Sequence, residues 1–444
     1  MADFRGVPEL AVSAAWHGQR FRGSLRTVDD RAVEVVHRGT WSNGFGPDFR
    51  DALILFDGHD LRSGSVEVHV HSAAWTQHGH HLDPRYGDVI LHVVLQHDGS
   101  ETRRCDGAVV PIVALEPFLT GRPMVNTPIA DWSRFGEEVC APDLARSDPT
   151  EIRAILWRLG DSRLAAKSAR LEARLTAEPP AEVLYQELWD GFGFHANREP
   201  MRTLAGHVPL AAIESALATV NGRRLSLARG LLFGAAGFLP LSPADAAIAC
   251  MAPDQVREAE ELWTSHGAAW WETSLSPTAW TRARVRPANH PVARLGAAAA
   301  LVAAAHDGLV TELLAPLRNG ADPVAVLRAL TATTEAPAIG LDRARALIAN
   351  ALLPFALALA EQTGDVSLSN GAAAAWERLP AAESNEATRR AERQIAGDRP
   401  LGPLGSRGQQ GLLHLDATLC APRRCFECPI AERVMAEAAG DTLP

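Results

Sequence analysis

Near residue 120 the period of the hydrophobic pattern changes, and this change restricts the chain to a fold of two dissimilar parts. Before it come AVEVVHRG, DALILF, SVEVHVH, VILHVVLQHD and VVPIVAL, short β-rich runs separated by Gly, Asp and Ser. Alternation with period two places successive side chains on opposite faces, as in strands. A helix is expected ahead of them in VPELAVSAAWHG, and a short helix or turn in SAAWTQHGHH between two strands. The expected order is helix, three strands, helix, strand, strand. After about residue 127, PTEIRAILWRLGDSRLAAKSARLEARL and the segments that follow carry apolar residues at i, i+3, i+4 and i+7, the spacing of one buried helix face. Many of these segments open at Pro with Asp or Ser and close at Gly. The fold class expected is α+β and multidomain: an α/β domain over residues 1–125, an all-helical domain over 126–400 and a cysteine-rich tail over 401–444. NEATRRAERQIAGDRPLGPLGSRGQQG, polar and rich in Gly and Pro near its end, is expected as a hinge before that tail.

Composition narrows the function classes. Apolar residues make up 47% and charged residues 22%, as in globular proteins. A formal net charge of −10 argues against coating nucleic acid through bulk charge, while leaving room for a local basic groove. Lys167 is the sole lysine among 43 basic residues, a bias that makes arginine abundance a poor phosphate-binding signal. MADFRGVPELAVSAAW lacks the basic and apolar blocks of an export signal. LGAAAALVAAAH and ALLPFALALA are short for a bilayer span, so a cytoplasmic protein without a membrane partner is expected. Six cysteines in a chain of this length do not make a disulfide scaffold.

Eight of the sixteen histidines lie between His59 and His97, interleaved with acids. Asp48 follows Pro47 at the start of one strand. Glu67 and His69, two apart on the next, share a face, and Val66, Val68 and Val70 take the other. Two carboxylates on neighbouring strands can hold a hard divalent cation, magnesium or manganese, which activates water. His78, His80 and His81 follow closely. If SAAWTQHGHH is helical, His78 and His81 share a face at i, i+3, and His80 or His81 could close over a metal at Asp48 and Glu67. His92, within an otherwise apolar strand, needs a polar partner. So many ionisable groups on one sheet face would be costly without a shared task.

Pro47-Asp48 and Glu67-Val68-His69, set in this order of elements, resemble the motif of the PD-(D/E)xK nuclease superfamily. The resemblance implies a restriction-endonuclease-like domain, with Asp48, Glu67 and His69 as its catalytic residues. His69 stands where that superfamily has lysine, so it could ligate a metal or act as base, without supplying a fixed positive charge. Across more of the chain, GPDFRDALI, GSVEVHVHSAAWTQHGHHLDPRYGDVILHVV, GFGFHANREPMRTLA, RVRPANHPVARL, NALLPFALALA and CAPRRCFECPI resemble an uncharacterised bacterial family, number 2851 of the domain-of-unknown-function series. That likeness runs from about Gly39 to Ile430 and implies no activity.

Two further motifs carry chemistry. Cys420, Cys425 and Cys428, spaced C-x4-C-x2-C, suit a structural zinc or an iron–sulfur cluster, with His414, Cys250 or Cys140 as fourth ligand. RARVRPANHPVARL places Arg282, Arg284, Arg286 and Arg294 around a helix start, where Arg284 and Arg286 are candidates for gripping phosphate. GFGFHANREPM reads as a turn between helices packed by Phe192 and Phe194. The expected function is metal-dependent phosphodiester hydrolysis on DNA or RNA, with nucleic acid as partner. The rivals are a histidine-rich metallohydrolase that is not a nuclease, holding zinc or manganese at His69, His78, His80 and His81, and a catalytically inactive module that binds nucleic acid or protein.

Overall fold

The computed structural model describes residues 7, 9–19, 21–42, 46–119, 148–194, 196–220, 222–283, 285–397, 399–421, 424, 427–431 and 433. Two compact units divide the chain. One comprises Met1–Ile155, Asn385–Gly402 and Leu412–Pro444; the other comprises Leu156–Ser384 and Pro403–Gly411. Residues 401–444, expected as a tail of their own, are thus apportioned between the two.

The first unit holds a helix, α1 (Glu9–Gly18), and a seven-stranded sheet. Its strands are β1 (Leu25–Arg26), β2 (Ala32–His37), β3 (Thr40–Trp41), β4 (Phe49–Phe56), β5 (Asp60–His71), β6 (Val89–Gln96) and β7 (Ile112–Ala114). The order across the sheet is β1-β2-β4-β5-β6-β7, with β3 paired to β4. Pairing is antiparallel from β1 to β5, and β5, β6 and β7 run parallel. The two-residue strands β1 and β3 are additions that sequence periodicity cannot resolve at that length. A parallel β5–β6 pair needs a crossover, and residues 72–88 supply it: α2 (Ala74–Gln77) followed by two single 3-10 turns, His80–Leu82 and Pro84–Tyr86.

The period-two alternation of β5 sorts its side chains as the sequence implies. Val66 and Val68 join Phe49, Ile54, Leu91, Val93 and Leu95 in a core that α1 seals with Ala11, Val12 and Trp16. Glu67 and His69 take the opposite face, which Trp75, Tyr86, Val89 and Val110 cover, so this face is buried too. Where β5 meets β6 the chain requires Gly64. A Cβ there would lie 2.4 Å from the Asp88 carbonyl oxygen and 2.6 Å from Ile90 Cγ2.

The second unit is helical, as the 3.6-residue periodicity predicts. Its core gathers Tyr185, Trp189, Phe192, Phe233 and Phe355 with many Leu and Ala. ALLPFALALA belongs to a longer helix than its apolar run suggests. Leu341–Thr363 is continuous through a π turn at Ile348–Leu352 and is long and apolar enough to cross a bilayer, yet 72% of its apolar window is buried within the protein. The expected hinge is helical over Glu386–Ala396 and Gly405–Leu415. Its Gly411 serves close packing, since a Cβ there would meet the Leu156 carbonyl oxygen at 1.9 Å, and on the facing helix a Cβ on Gly160 would meet the Arg407 carbonyl oxygen at 2.0 Å. Similarly, Gly191 and Phe192 sit inside the helix Pro180–Gly193, where Phe192 is fully buried, whereas Phe194 beyond it is 46% exposed and does not pack the turn.

Candidate metal centre

The covered face of β5 builds the site. Asp48 immediately precedes β4, and Phe49 pairs with Val66, so Asp48 is tied to β5 by two bonds, one to Glu67 and one to Val68. The Asp48 N–H donates to Glu67 Oε2 at 3.0 Å, and the Val68 N–H donates to Asp48 Oδ2 at 3.0 Å. These bonds fix both carboxyls while engaging one oxygen of each. Glu67 Oε1 is left facing the histidines, 3.3 Å from His80 Nε2 and 3.6 Å from His69 Nε2.

His69 is 1% exposed and both its nitrogens are occupied. Its Nδ1 lies 2.8 Å from His92 Nε2, and its Nε2 lies 3.2 Å from His78 Nδ1. His92, the register partner of Glu67 on β6, passes the chain on: its Nδ1 is 2.6 Å from Thr102 Oγ1. The polar partners that a buried His92 demands are therefore His69 and Thr102. The rings are clamped from the crossover. His80 stacks on Tyr86 at 3.9 Å between centroids, and Trp75 packs edge-on to His80 while its Nε1–H donates to the Arg103 carbonyl at 2.8 Å. Glu9, in the first turn of α1, approaches from outside the sheet, with Oε1 4.0 Å from His69 Nε2.

Burial sets the charge state of this cluster. It pushes Glu67 up to about 8, with Glu9 adding to the rise against the bond from Asp48 N–H. Burial and the adjoining Glu67 raise Asp48 well above the usual carboxylate range. Burial, then His92, His80 and His78, depress His69 to about 2, and burial brings His92 down to about 3. Burial likewise lowers His80 and raises Glu9. His69 and His92 are thus neutral at pH 7 and offer lone pairs, the form in which histidine binds metals.

The ligand atoms of His69, His78 and His80 all lie within 4.8 Å of one another. A tetrahedral zinc with bonds of about 2.0–2.1 Å has edges of about 3.3–3.4 Å. The His69–His78 separation of 3.2 Å is close to that edge, and Glu67 Oε1 lies 3.3 Å from His80 and 3.6 Å from His69. With a metal at His69 Nε2, His69 Nδ1–H would donate to His92 and His92 Nδ1–H to Thr102, the outer-shell support that metal-bound histidines use.

Of the residues singled out by sequence, Glu67, His69, His78 and His80 converge, and Asp48 joins through its bonds to β5. His81 does not: Gly79 adopts a left-handed conformation (φ 77°), breaking the helix so that His78 and His80, rather than His78 and His81, face the cluster. Among the described residues His81 Nδ1 is buried without a hydrogen-bond partner. Arg286 is exposed and pairs with Glu383 at 3.3 Å, and Arg284 lies outside the described residues. Cys420 is partly buried and Cys428 buried, its thiol raised by burial, whereas Cys425 and Cys140 lie outside the described residues. Glu9, His92 and Thr102 are site neighbours that motif spacing alone does not collect.

A mixed sheet with a buried face of imidazoles and carboxyls thus marks the first unit as a candidate metal-binding α/β protein. The chain belongs to the family described as Protein of unknown function (DUF2851), which it matches over residues 9–318, a span that begins earlier and ends sooner than the likeness seen in the sequence. No curated protein and no solved structure matches it.

Proposed function

We propose that the chain is a metal-dependent hydrolase of phosphodiesters, with zinc or a similar borderline metal held by His69, His78 and His80. The observation that carries this reading is the convergence of the His69, His78 and His80 ligand atoms within 4.8 Å of one another, with Glu67 Oε1 beside the His69 and His80 nitrogens. An imidazole-rich set favours zinc over magnesium, which prefers oxygen ligands and water. A metal held by His69, His78 and His80 would supply Lewis acidity that activates water near neutral pH. Glu67, beside the His69 and His80 nitrogens, is poised to take the proton of that water. Asp48, held by the Val68 N–H, fixes the Glu67 carboxyl.

The phosphodiester assignment rests on element order: an acid before β4, Glu67 and His69 on antiparallel β5, and a parallel β6 after a crossover. This is the order that the nuclease motif uses, with His69 contributing a ligand where that motif has a lysine. Chelator-stripped protein reloaded with zinc, manganese or magnesium should hydrolyse bis(p-nitrophenyl) phosphate and nucleic acid. His80→Ala and Glu67→Gln, checked for folding by circular dichroism, should abolish that turnover. Absence of hydrolysis with every metal, or equal hydrolysis by His80→Ala, would refute the reading.

A further inference from the structure

In the helical unit a buried arginine, Arg294, and a half-buried one, Arg343, have no acidic partner among the described residues. Arg294, in the first turn of the helix Pro291–Ala304, is 5% exposed. Its Nε donates to the Ala288 carbonyl at 2.6 Å and its Nη2 to the Asn289 amide oxygen, both neutral groups. Its Nη1 is buried without a partner among the described residues. Arg343, in the first turn of the helix beginning at Leu341, has its Nε buried in the same state. Its guanidinium lies 4.0 Å from the centre of the Phe194 ring, and Phe194 is 46% exposed. The helix Pro180–Gly193, which ends just before Phe194, packs against both arginine-bearing helices. Asn197 clasps Thr281 from both sides of its amide, drawing the Phe194 loop to the segment that leads into Arg294.

Electrostatics makes this arrangement unfavourable as it stands. Burial, then the charge of Arg343, depresses Arg294 to about 9, and burial alone takes Arg343 to about 10. Both remain cationic at pH 7. Each also sits at a helix N-terminus, where the macrodipole favours negative charge. The N-cap of the Arg294 helix, His290, makes no side-chain cap bond, and its Nδ1 is buried without a partner among the described residues. Holding like charges away from water without a counter-charge is unfavourable. Two guanidinium groups with spare N–H donors at helix starts are suited to a tetrahedral oxyanion.

We propose that Arg294 and Arg343 bind a phosphate group, with the Phe194 ring as its outer wall. The site differs from the exposed Arg286, whose charge Glu383 already meets, and it is independent of the metal centre. The test is calorimetric titration of the full, chelator-stripped chain with inorganic phosphate at constant ionic strength. Expected is one saturable phosphate per chain, weakened roughly tenfold to hundredfold in Arg343→Met, the loss set by one charge-assisted contact. Arg294→Met should weaken it similarly, and if that variant fails to fold by circular dichroism, Arg343→Met alone decides. No saturable binding by the intact chain, or unchanged binding by Arg343→Met, overturns the proposal. Acetate binding as tightly as phosphate overturns the assignment of phosphate.

Discussion

Metal loading should eject a proton, and the proton should come from Glu67. Burial holds this carboxyl at about 8 in the metal-free fold, so at pH 7 roughly nine-tenths of it is protonated, by the ordinary titration relation. A dication held by His69, His78 and His80 would favour the ionised form of Glu67, whose carboxyl lies beside the His69 and His80 nitrogens. His69 contributes little to the proton count, because it is already neutral. Loading at pH 7 should therefore release about one proton, with the ionisation costing about 1.4 kcal/mol. The apparent affinity should rise roughly tenfold per pH unit below about pH 8 and level off above it. The same shift governs the metal-free protein. With its folded value raised above 4.5, Glu67 contributes stability that is fully present below pH 4.5 and is lost as pH rises through about 8. His69, depressed from 6.5 to about 2, acts oppositely over its own window, leaving a net fall in stability between about pH 6.5 and 8. Zinc titrations in buffers of different ionisation enthalpy read the proton count directly. Release near zero at pH 7 in the wild type, or release undiminished in Glu67→Gln, would refute the reasoning.

Three other outcomes follow from particular contacts. His92→Leu cuts the Thr102–His92–His69 chain and should weaken zinc binding about 10–100-fold, measured by competition with a chromophoric chelator; equal affinity would remove the outer-shell role. Gly64→Ala forces a Cβ onto the Asp88 carbonyl at the β5–β6 junction and should destabilise the first unit by about 2–3 kcal/mol in urea unfolding; a change under about 0.5 kcal/mol would contradict the close approach. Replacing Cys420, Cys425 and Cys428 together by Ser, in a His80→Ala background that silences the other centre, should remove about one equivalent of iron or zinc if these thiolates hold a structural metal; an unchanged metal content would count against that role.

What could be read in the sequence is what local spacing determines. Glu67 and His69 share a face because strand residues two apart must, and Val66 and Val68 reach the core by the same rule. The change of period near residue 120 marks the passage from sheet to helices for a similarly local reason. What escaped depends on chain closure. Glu9 lies 58 positions before Glu67 and, in sequence, is an ordinary acid in a helix's first turn. Arg343 is one arginine among many until folding sets its guanidinium over the Phe194 ring. Gly411 looks like a hinge residue until a second helix packs onto it at backbone distance.

The choice between His80 and His81 sharpens the point. A continuous helix would pair His78 with His81 by its 3.6-residue period, and no ring pattern in GHH opposes that pairing. The left-handed Gly79 ends the helix and begins a 3-10 turn, which rotates His80 onto Tyr86 and toward Glu67. A non-glycine residue at that φ is disfavoured by roughly 1–2 kcal/mol, and nothing lies within 4 Å of a Cβ built on Gly79. The constraint at this position is therefore conformational rather than steric. A single backbone torsion, invisible to periodicity, selects which imidazole reaches Glu67.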